Sequence, residues 1–282
     1  MQLGGILTAM VTPFDRHGAL DEDATARLIR HLLENGSDGL VVAGSTGEAA
    51  TLTDDEKARL WELAVTESGA APIIAGTGTY DTRHSVELTE RATEIGVDAV
   101  LVVVPYYVKP NRRGLVAHYQ AVAGATDLPV ILYNIPSRCV VDMPNDLLAE
   151  LAQIENVAAV KQARYEDLAP IDGLDLLAGN DDTLARVLDM GGTGGILVAS
   201  QLVGTEMRRM IDEPESRAEI HESLTDLFEA LAVTTNPIPV KAAMNMLGYE
   251  AGGLRLPLVE ASEDESAVIR AALERHGLLA RV

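Results

Sequence analysis

The sequence is short of lysine, cysteine, aromatic side chains and positive charge, and each shortage excludes something. A single cysteine, Cys139, leaves no partner for an internal disulfide, which fits a reducing compartment. Lys and Arg together number 22 against 43 Asp and Glu, a net charge of −21. That excess repels a polyphosphate backbone, so nucleic acid is not an expected partner. It leaves room for a small anionic substrate, because a local Arg or Lys outweighs distant, screened carboxylates. No stretch reaches the ~18 apolar residues of a membrane span. Residues 1–14, MQLGGILTAMVTPF, lack the basic start of a signal segment, so the expected location is the cytoplasm, without a membrane partner. The six His are scattered, and no second His follows His221-Glu222 at zinc-protease spacing, so no metal is expected.

What is present is a large apolar content, 47% of residues, ample for a core. Short Val-, Ile- and Leu-rich runs recur at Gly5–Met10, Gly39–Ala43, Pro72–Ala75, Ala99–Val104, Pro129–Tyr133, Val157–Val160, Leu174–Ala178 and Ile196–Val198. They do not alternate with polar residues, as befits strands covered on both faces of a parallel sheet. Helical patterns separate them, at Asp21–Gly36, Thr53–Ser68, Asp81–Ile95, Arg112–Ala125, Pro144–Leu151 and Asp181–Met190. Thr53 with Glu56 three residues on predicts a capping box. Strand–helix units in this number predict an α/β fold, a (β/α)8 TIM barrel, a single domain at about 250 residues. A doubly wound open sheet is the alternative, but its dinucleotide fingerprint is missing. From Val203 onward only helical segments follow, which predicts a barrel over 1–210 and a C-terminal helical region over 211–282.

Two glycine-rich stretches fail as motifs. Ala43-Gly44-Ser45-Thr46-Gly47 lacks the Gly-Lys-Ser/Thr ending of a P-loop and the spacing of a nucleophile elbow. Gly191–Gly195 precedes a strand and reads as a helix-to-strand turn at the bottom of the barrel.

Only four lysines exist: Lys57, Lys109, Lys161 and Lys241. Lys57, on an amphipathic helix, is expected in solvent. Lys161 differs, because it ends the apolar run Val157–Val160 and so faces the mouth of a barrel. Burial lowers an ammonium's pKa, and a drop of about 3 units from ~10.4 leaves free amine near neutrality. Such an amine attacks a ketone to form a Schiff base. A lysine snorkelling to solvent or pairing with an acid is the other reading of this position. The neighbouring strand ends carry Tyr133, able to shuttle protons, Ser45 and Thr46 in a glycine turn able to hold a carboxylate, and Arg138 able to clamp a second one. Singly these suit a wall residue, a helix cap and a surface ion pair. Together they converge on one face. Cys139, next to Arg138, is expected to be a small buried residue of the loop.

The combination Gly44-Ser45-Thr46-Gly47-Glu48, Tyr133-Asn134-Ile135-Pro136-Ser137-Arg138 and Val160-Lys161 resembles the dihydrodipicolinate synthase / N-acetylneuraminate lyase superfamily. The resemblance runs almost end to end, from Thr8–Phe14 to Leu254–Pro257. Pro105-Tyr106-Tyr107, Arg138 and Asn236–Lys241 are similar to the synthase branch in particular. The resemblance implies that Lys161 forms an imine with pyruvate, so that no cofactor is needed. It implies a hydroxyl relay of Tyr133, Thr46 and Tyr107, and a pyruvate carboxylate held by Ser45 and Thr46. It further implies that Arg138 recognises aspartate 4-semialdehyde and that Gly179 and Ile196 line the pocket. The implied reaction condenses those two substrates to 4-hydroxy-tetrahydrodipicolinate, on the diaminopimelate route to lysine. The implied assembly is a homotetramer in which Tyr107 is donated to a neighbouring subunit.

Some positions depart from the pattern. Gln162 stands where the synthases usually carry an acid, which removes a charge beside the imine and keeps open another 2-oxo-acid aldolase or dehydratase acting on a sugar acid. A catalytically silent binding homologue is a more distant alternative. Ala49, Asp54, Lys57, Tyr80 and His84 replace Ser, His, His, Asn and Glu at the feedback site of inhibited bacterial synthases, so the expected response to lysine is weak or absent.

Overall fold

The structure, a computed structural model, describes residues 3–280. Eight parallel strands close into a barrel in chain order: β1 Ile6–Ala9, β2 Gly39–Val42, β3 Ile73–Gly76, β4 Ala99–Val103, β5 Val130–Asn134, β6 Val157–Gln162, β7 Asp175–Ala178 and β8 Gly194–Leu197. Nearly every strand residue is buried, which is why the runs are continuously apolar: the inner face fills the barrel while the outer face meets helices. The doubly wound alternative is thereby excluded.

The helices are α1 Glu22–Glu34, α2 Asp54–Glu67, α3 Thr82–Ile95, α4 Arg112–Ala123, α5 Pro136–Cys139, α6 Asn145–Leu151, α7 Leu184–Asp189, α8 Ser200–Asp212, α9 Arg217–Leu231, α10 Ile238–Met246 and α11 Glu263–Arg275. Thr53 and Glu56 form the expected reciprocal capping box at the start of α2. Asp21 caps α1 by accepting from the Ala24 N–H, and Asp81 caps α3 by accepting from Arg83.

Four expectations need correction. First, β8 begins at Gly194 rather than Ile196, so Gly194 and Gly195 belong to the closing strand and not to a turn. The reason is steric: Gly194 has φ +155, and a Cβ there would lie 2.0 Å from the carbonyl oxygen of Gly5, the residue before β1. Only glycine lets the last strand close on the first. Second, the single turn of α5 after β5 escaped the sequence pattern, since four residues carry no helical period. Third, α8 starts earlier than Gly204 and continues through a break at Val203 (φ −132, ψ 40), so residues 210 and 211 lie inside one helix. Fourth, Lys57 is buried, its ammonium 3.3 Å from Asp54 Oδ1, because α2 turns that side chain toward the barrel.

The C-terminal helices pack on the barrel's flank and mouth. α9 meets α8, α11 and α7, and α10 meets α11 and α8. A buried ion pair fastens them to the mouth. The Lys241 ammonium of α10 donates to Glu48 Oε1 (2.8 Å) and to the Gly253 carbonyl (2.6 Å), and lies 4.4 Å from the centre of the Phe14 ring. Glu48 Oε2 accepts from the Arg255 N–H at 3.0 Å. Both side chains are almost wholly shielded from solvent, at 1% and 0% exposure. Removing one member of such a pair strands the other without its charge partner. Lys241→Ala is therefore expected to cost about 3–5 kcal/mol in denaturant unfolding, whereas a loss below ~1 kcal/mol would mean that the pair adds nothing to the docking.

Candidate active site

The barrel's C-terminal mouth opens into a cavity of about 650 Å³ lined by Ser45, Thr46, Tyr133, Arg138, Lys161, Gly179, Asp181 and Asn236 among others. Strand register explains the central pair. Tyr133 and Lys161 are direct partners across β5 and β6, so both point inward at one level. The Lys161 ammonium lies 4.3 Å from the centre of the Tyr133 ring. Lys161 is only 5% exposed, and this burial pulls its ammonium down from the usual lysine range to about 7; Asp181 opposes the shift and Arg138 adds to it. A substantial fraction of free amine therefore exists at neutral pH. Burial pushes the Tyr133 hydroxyl up to about 12 against the opposing pull of Arg138 and Ser45, so it stays protonated.

Ser45 and Thr46 sit in the turn after β2, entered at Ala43 (φ +55) and left at Glu48 (φ +57). Thr12 Oγ1 donates to the Gly47 carbonyl at 2.7 Å, which fixes the turn against the chain after β1. Thr46 Oγ1 accepts from Asn236 Nδ2 at 2.9 Å. Arg138 lies on α5 at the exposed rim, and its guanidinium donates to the Asn236 carbonyl at 2.8 Å. Cys139 faces inward beneath it, and burial pushes its thiol up to about 11, leaving it a poor nucleophile.

Other predicted residues fall in different places. Gly179 lines the cavity, and a Cβ there would meet the Ala163 nitrogen at 2.8 Å, so packing of β7 against β6 requires the glycine. Ile196 is wholly buried inside the barrel, one layer below Val198, and it is Val198 that reaches the cavity. Tyr107 is 89% exposed with φ +69 and stands outside the lining of its own chain's cavity. Its neighbour Tyr106 packs edge-on against Tyr80, with ring centres 5.5 Å apart.

Gln162 does not border the lysine's amine. As the residue after Lys161 it points to the outer face, where its Oε1 accepts from Asn134 Nδ2 (3.0 Å) and from the Arg164 N–H (3.3 Å). The missing acid is thus part of a buried amide network between β5 and β6.

Asp181 was not singled out in the sequence, although it follows β7 by three residues and strand-end position was a usable signal. Its Oδ1 accepts from the Val198 and Ala199 N–H groups at 2.9 and 3.1 Å. Burial raises its carboxyl to about 6 against the pull of those two N–H groups and of Lys161, while Asp182 raises it further. Among the described residues, no group of three or more His, Cys, Asp or Glu is placed to hold a metal. Nor is any described helix long and apolar enough to cross a membrane.

This electrostatic pair has a measurable sign. The Lys161 amine loses reactivity as pH falls through about 7, because protonation removes its lone pair. The Asp181 carboxylate stabilises the protonated form, so Asp181→Asn, which keeps an oxygen for Val198 and Ala199, should move the midpoint to lower pH. Peptide-resolved labelling by acetic anhydride across pH 5–9 measures it, and a midpoint moving upward would contradict the pairing.

The chain matches the model of the dihydrodipicolinate synthetase family over residues 2–276. It is 46% identical to the 4-hydroxy-tetrahydrodipicolinate synthase of Moorella thermoacetica, over 99% of this chain and 100% of that one. It is 43% identical to the enzyme of the same name from Desulforudis audaxviator, over 99% of each chain. Among solved structures, the lysine-bound enzyme of Cyanidioschyzon merolae superposes with a TM-score of 0.95 at 39% identity, covering 98% of this chain and 99% of that one. The chloride-inhibited dihydrodipicolinate synthase of Acinetobacter baumannii complexed with pyruvate gives 0.95 at 33% identity, covering 99% and 100%. A closed barrel with a buried, depressed-pKa lysine at its mouth, matched from end to end by these relatives, belongs to the dihydrodipicolinate synthetase family.

Proposed function

We propose that this chain is a Schiff-base lyase that condenses pyruvate with L-aspartate 4-semialdehyde to 4-hydroxy-tetrahydrodipicolinate and water, as its relatives are named for doing. The observation that carries the reading is the Lys161 amine, buried beside Tyr133 and drawn down to about 7. Lys161 Nζ attacks the C2 carbonyl of pyruvate. The carbonyl oxygen takes up a proton to give a carbinolamine, then a second, and leaves as water, giving the imine. Loss of a C3 proton gives the enamine, whose carbon attacks the aldehyde. The amino group of the adduct then displaces Lys161 from C2, closing the ring and freeing the enzyme. No external cofactor enters this sequence.

Tyr133 and Thr46 pass protons to and from the leaving oxygen, a role worth about 10²–10⁴ in rate. Ser45 and Thr46 hold the pyruvate carboxylate with the turn's N–H groups, and Gly179 leaves room beside them. Ile196 supports the floor from one layer below. Arg138 at the rim receives the carboxylate of the aldehyde. Tyr107, exposed on its own chain, completes the relay of a second subunit in a homotetramer, and a cytoplasmic location suits the pathway's substrates. The outward placement of Gln162 removes the one observation that favoured a sugar-acid substrate.

A coupled assay with both substrates, beside borohydride trapping with pyruvate alone, tests this reading. Wild type should turn over and gain one pyruvate-derived adduct on Lys161, and Lys161→Ala should lose both while keeping its circular dichroism. An adduct without turnover would retain the imine and overturn the aldehyde. Regulation follows from a neighbouring contact: Asp54 accepts from His84 Nε2 at 2.9 Å and pairs with Lys57, so two nitrogen bases and their single acid already occupy one another. Sub-millimolar lysine should leave the rate unchanged, and half-inhibition in that range would refute the inference.

A further inference from the structure

Asn236 lies in the loop between α9 and α10, 190 residues from Thr46 in sequence, yet its side chain reaches the mouth. Its Nδ2 donates to Thr46 Oγ1 at 2.9 Å, and its backbone carbonyl accepts from Arg138 at 2.8 Å. Its Oδ1 is buried without a hydrogen-bond partner. A hydroxyl has one proton and two acceptor positions. With Asn236 Nδ2 donating into one of them, Thr46's own O–H is not spent on that nitrogen and is left for an acceptor in the cavity that Thr46 lines with Lys161 and Tyr133. The contact is preorganised from below. Two residues after Thr46, Glu48 is locked to Lys241 at 2.8 Å, five residues after Asn236, so the two segments are joined again beside the bond.

We propose that Asn236 is a positioning residue of the imine-forming step: by donating to Thr46 Oγ1 it fixes the direction in which that hydroxyl delivers its proton. The inference rests on the Schiff-base reading above and assigns Asn236 no contact with substrate. Its action runs through Thr46 alone, whereas Arg138 is held by the backbone carbonyl, which any substitution keeps.

A double-mutant cycle on the full chain tests this, with the rate of cyanoborohydride-trapped adduct formation from pyruvate as the readout. Asn236→Ala should slow imine formation roughly ten-fold and Thr46→Val roughly a hundred-fold, within the span of proton-transfer catalysis. The double variant should match Thr46→Val within about two-fold, because a residue acting only through Thr46 has nothing left to orient. The half-saturating concentration of the aldehyde in turnover should stay within about two-fold in Asn236→Ala, since Arg138 keeps its carbonyl partner. Asn236→Asp, of nearly the same volume, is the second variant. Its carboxylate only accepts, so the Thr46 proton turns toward it and the rate should fall below that of Asn236→Ala. Multiplicative losses in the double variant, an Asn236→Ala rate within two-fold of wild type, or an Asn236→Asp rate equal to or above that of Asn236→Ala would each overturn the proposal. A wild-type chain that forms no adduct would instead overturn the Schiff-base reading itself, and this inference with it.

Discussion

Withdrawing one ammonium from water is the constraint around which this barrel's mouth is arranged. Lys161 sits at the end of β6 with 5% exposure, and its shift to about 7 means the folded chain tolerates a side chain whose charged form is disfavoured where it lies. The cost is moderated without being cancelled. Asp181 supplies a counter-charge, yet its own carboxyl is raised to about 6 and is anchored by two N–H groups at the end of β8, away from a tight ion pair. A close pair would have restored the ordinary lysine range and removed the free amine. The Tyr133 ring at 4.3 Å offers the ammonium a weaker partner that does not compete for its lone pair.

Lys241 shows the opposite solution with the same side chain. It is buried more deeply than Lys161, but Glu48 and the Gly253 carbonyl hold it directly. Burial lowers its pKa and Glu48 opposes the change. One lysine is held directly by a carboxylate and fastens α10 to the turn after β2; the other has no carboxylate so close. Residue type and burial are shared, and the distance to the nearest carboxylate decides the role.

Much of this was legible in the sequence. The unbroken apolar runs located all eight strands because each is enclosed on both faces, and the lysine at a strand end marked the mouth. Strand-end logic put Tyr133, Ser45, Thr46 and Arg138 at the mouth, and the family resemblance put Gly179 there; all five line the cavity. The β8 boundary was misplaced because glycine carries no hydropathy signal, although its lack of a side chain is what lets β8 close on β1. Lys57 was misread since an amphipathic pattern does not fix which way a residue at the edge of the apolar stripe turns. Gln162 looked chemical because it follows Lys161, but alternation along a strand sends successive side chains to opposite faces. Asn236 and the Glu48–Lys241 pair are contacts across about 190 residues, which local patterns do not carry.

Those long-range contacts change what the C-terminal helices are for. Read from periodicity, they are an addition to a finished barrel. In three dimensions the α9–α10 loop brings Asn236 to Thr46 and Arg138, while α10 brings Lys241 to Glu48. Loops at the mouth of a barrel are connected to rigid strands on one side only, and left alone they would sample orientations wider than proton transfer permits. The helical region supplies a second, independent anchor to the turn after β2 and to α5. The same helices share one apolar core with the barrel through Leu227, Val240, Met244 and Leu273, so the geometry of the hydroxyl and guanidinium is set by elements the barrel is packed against.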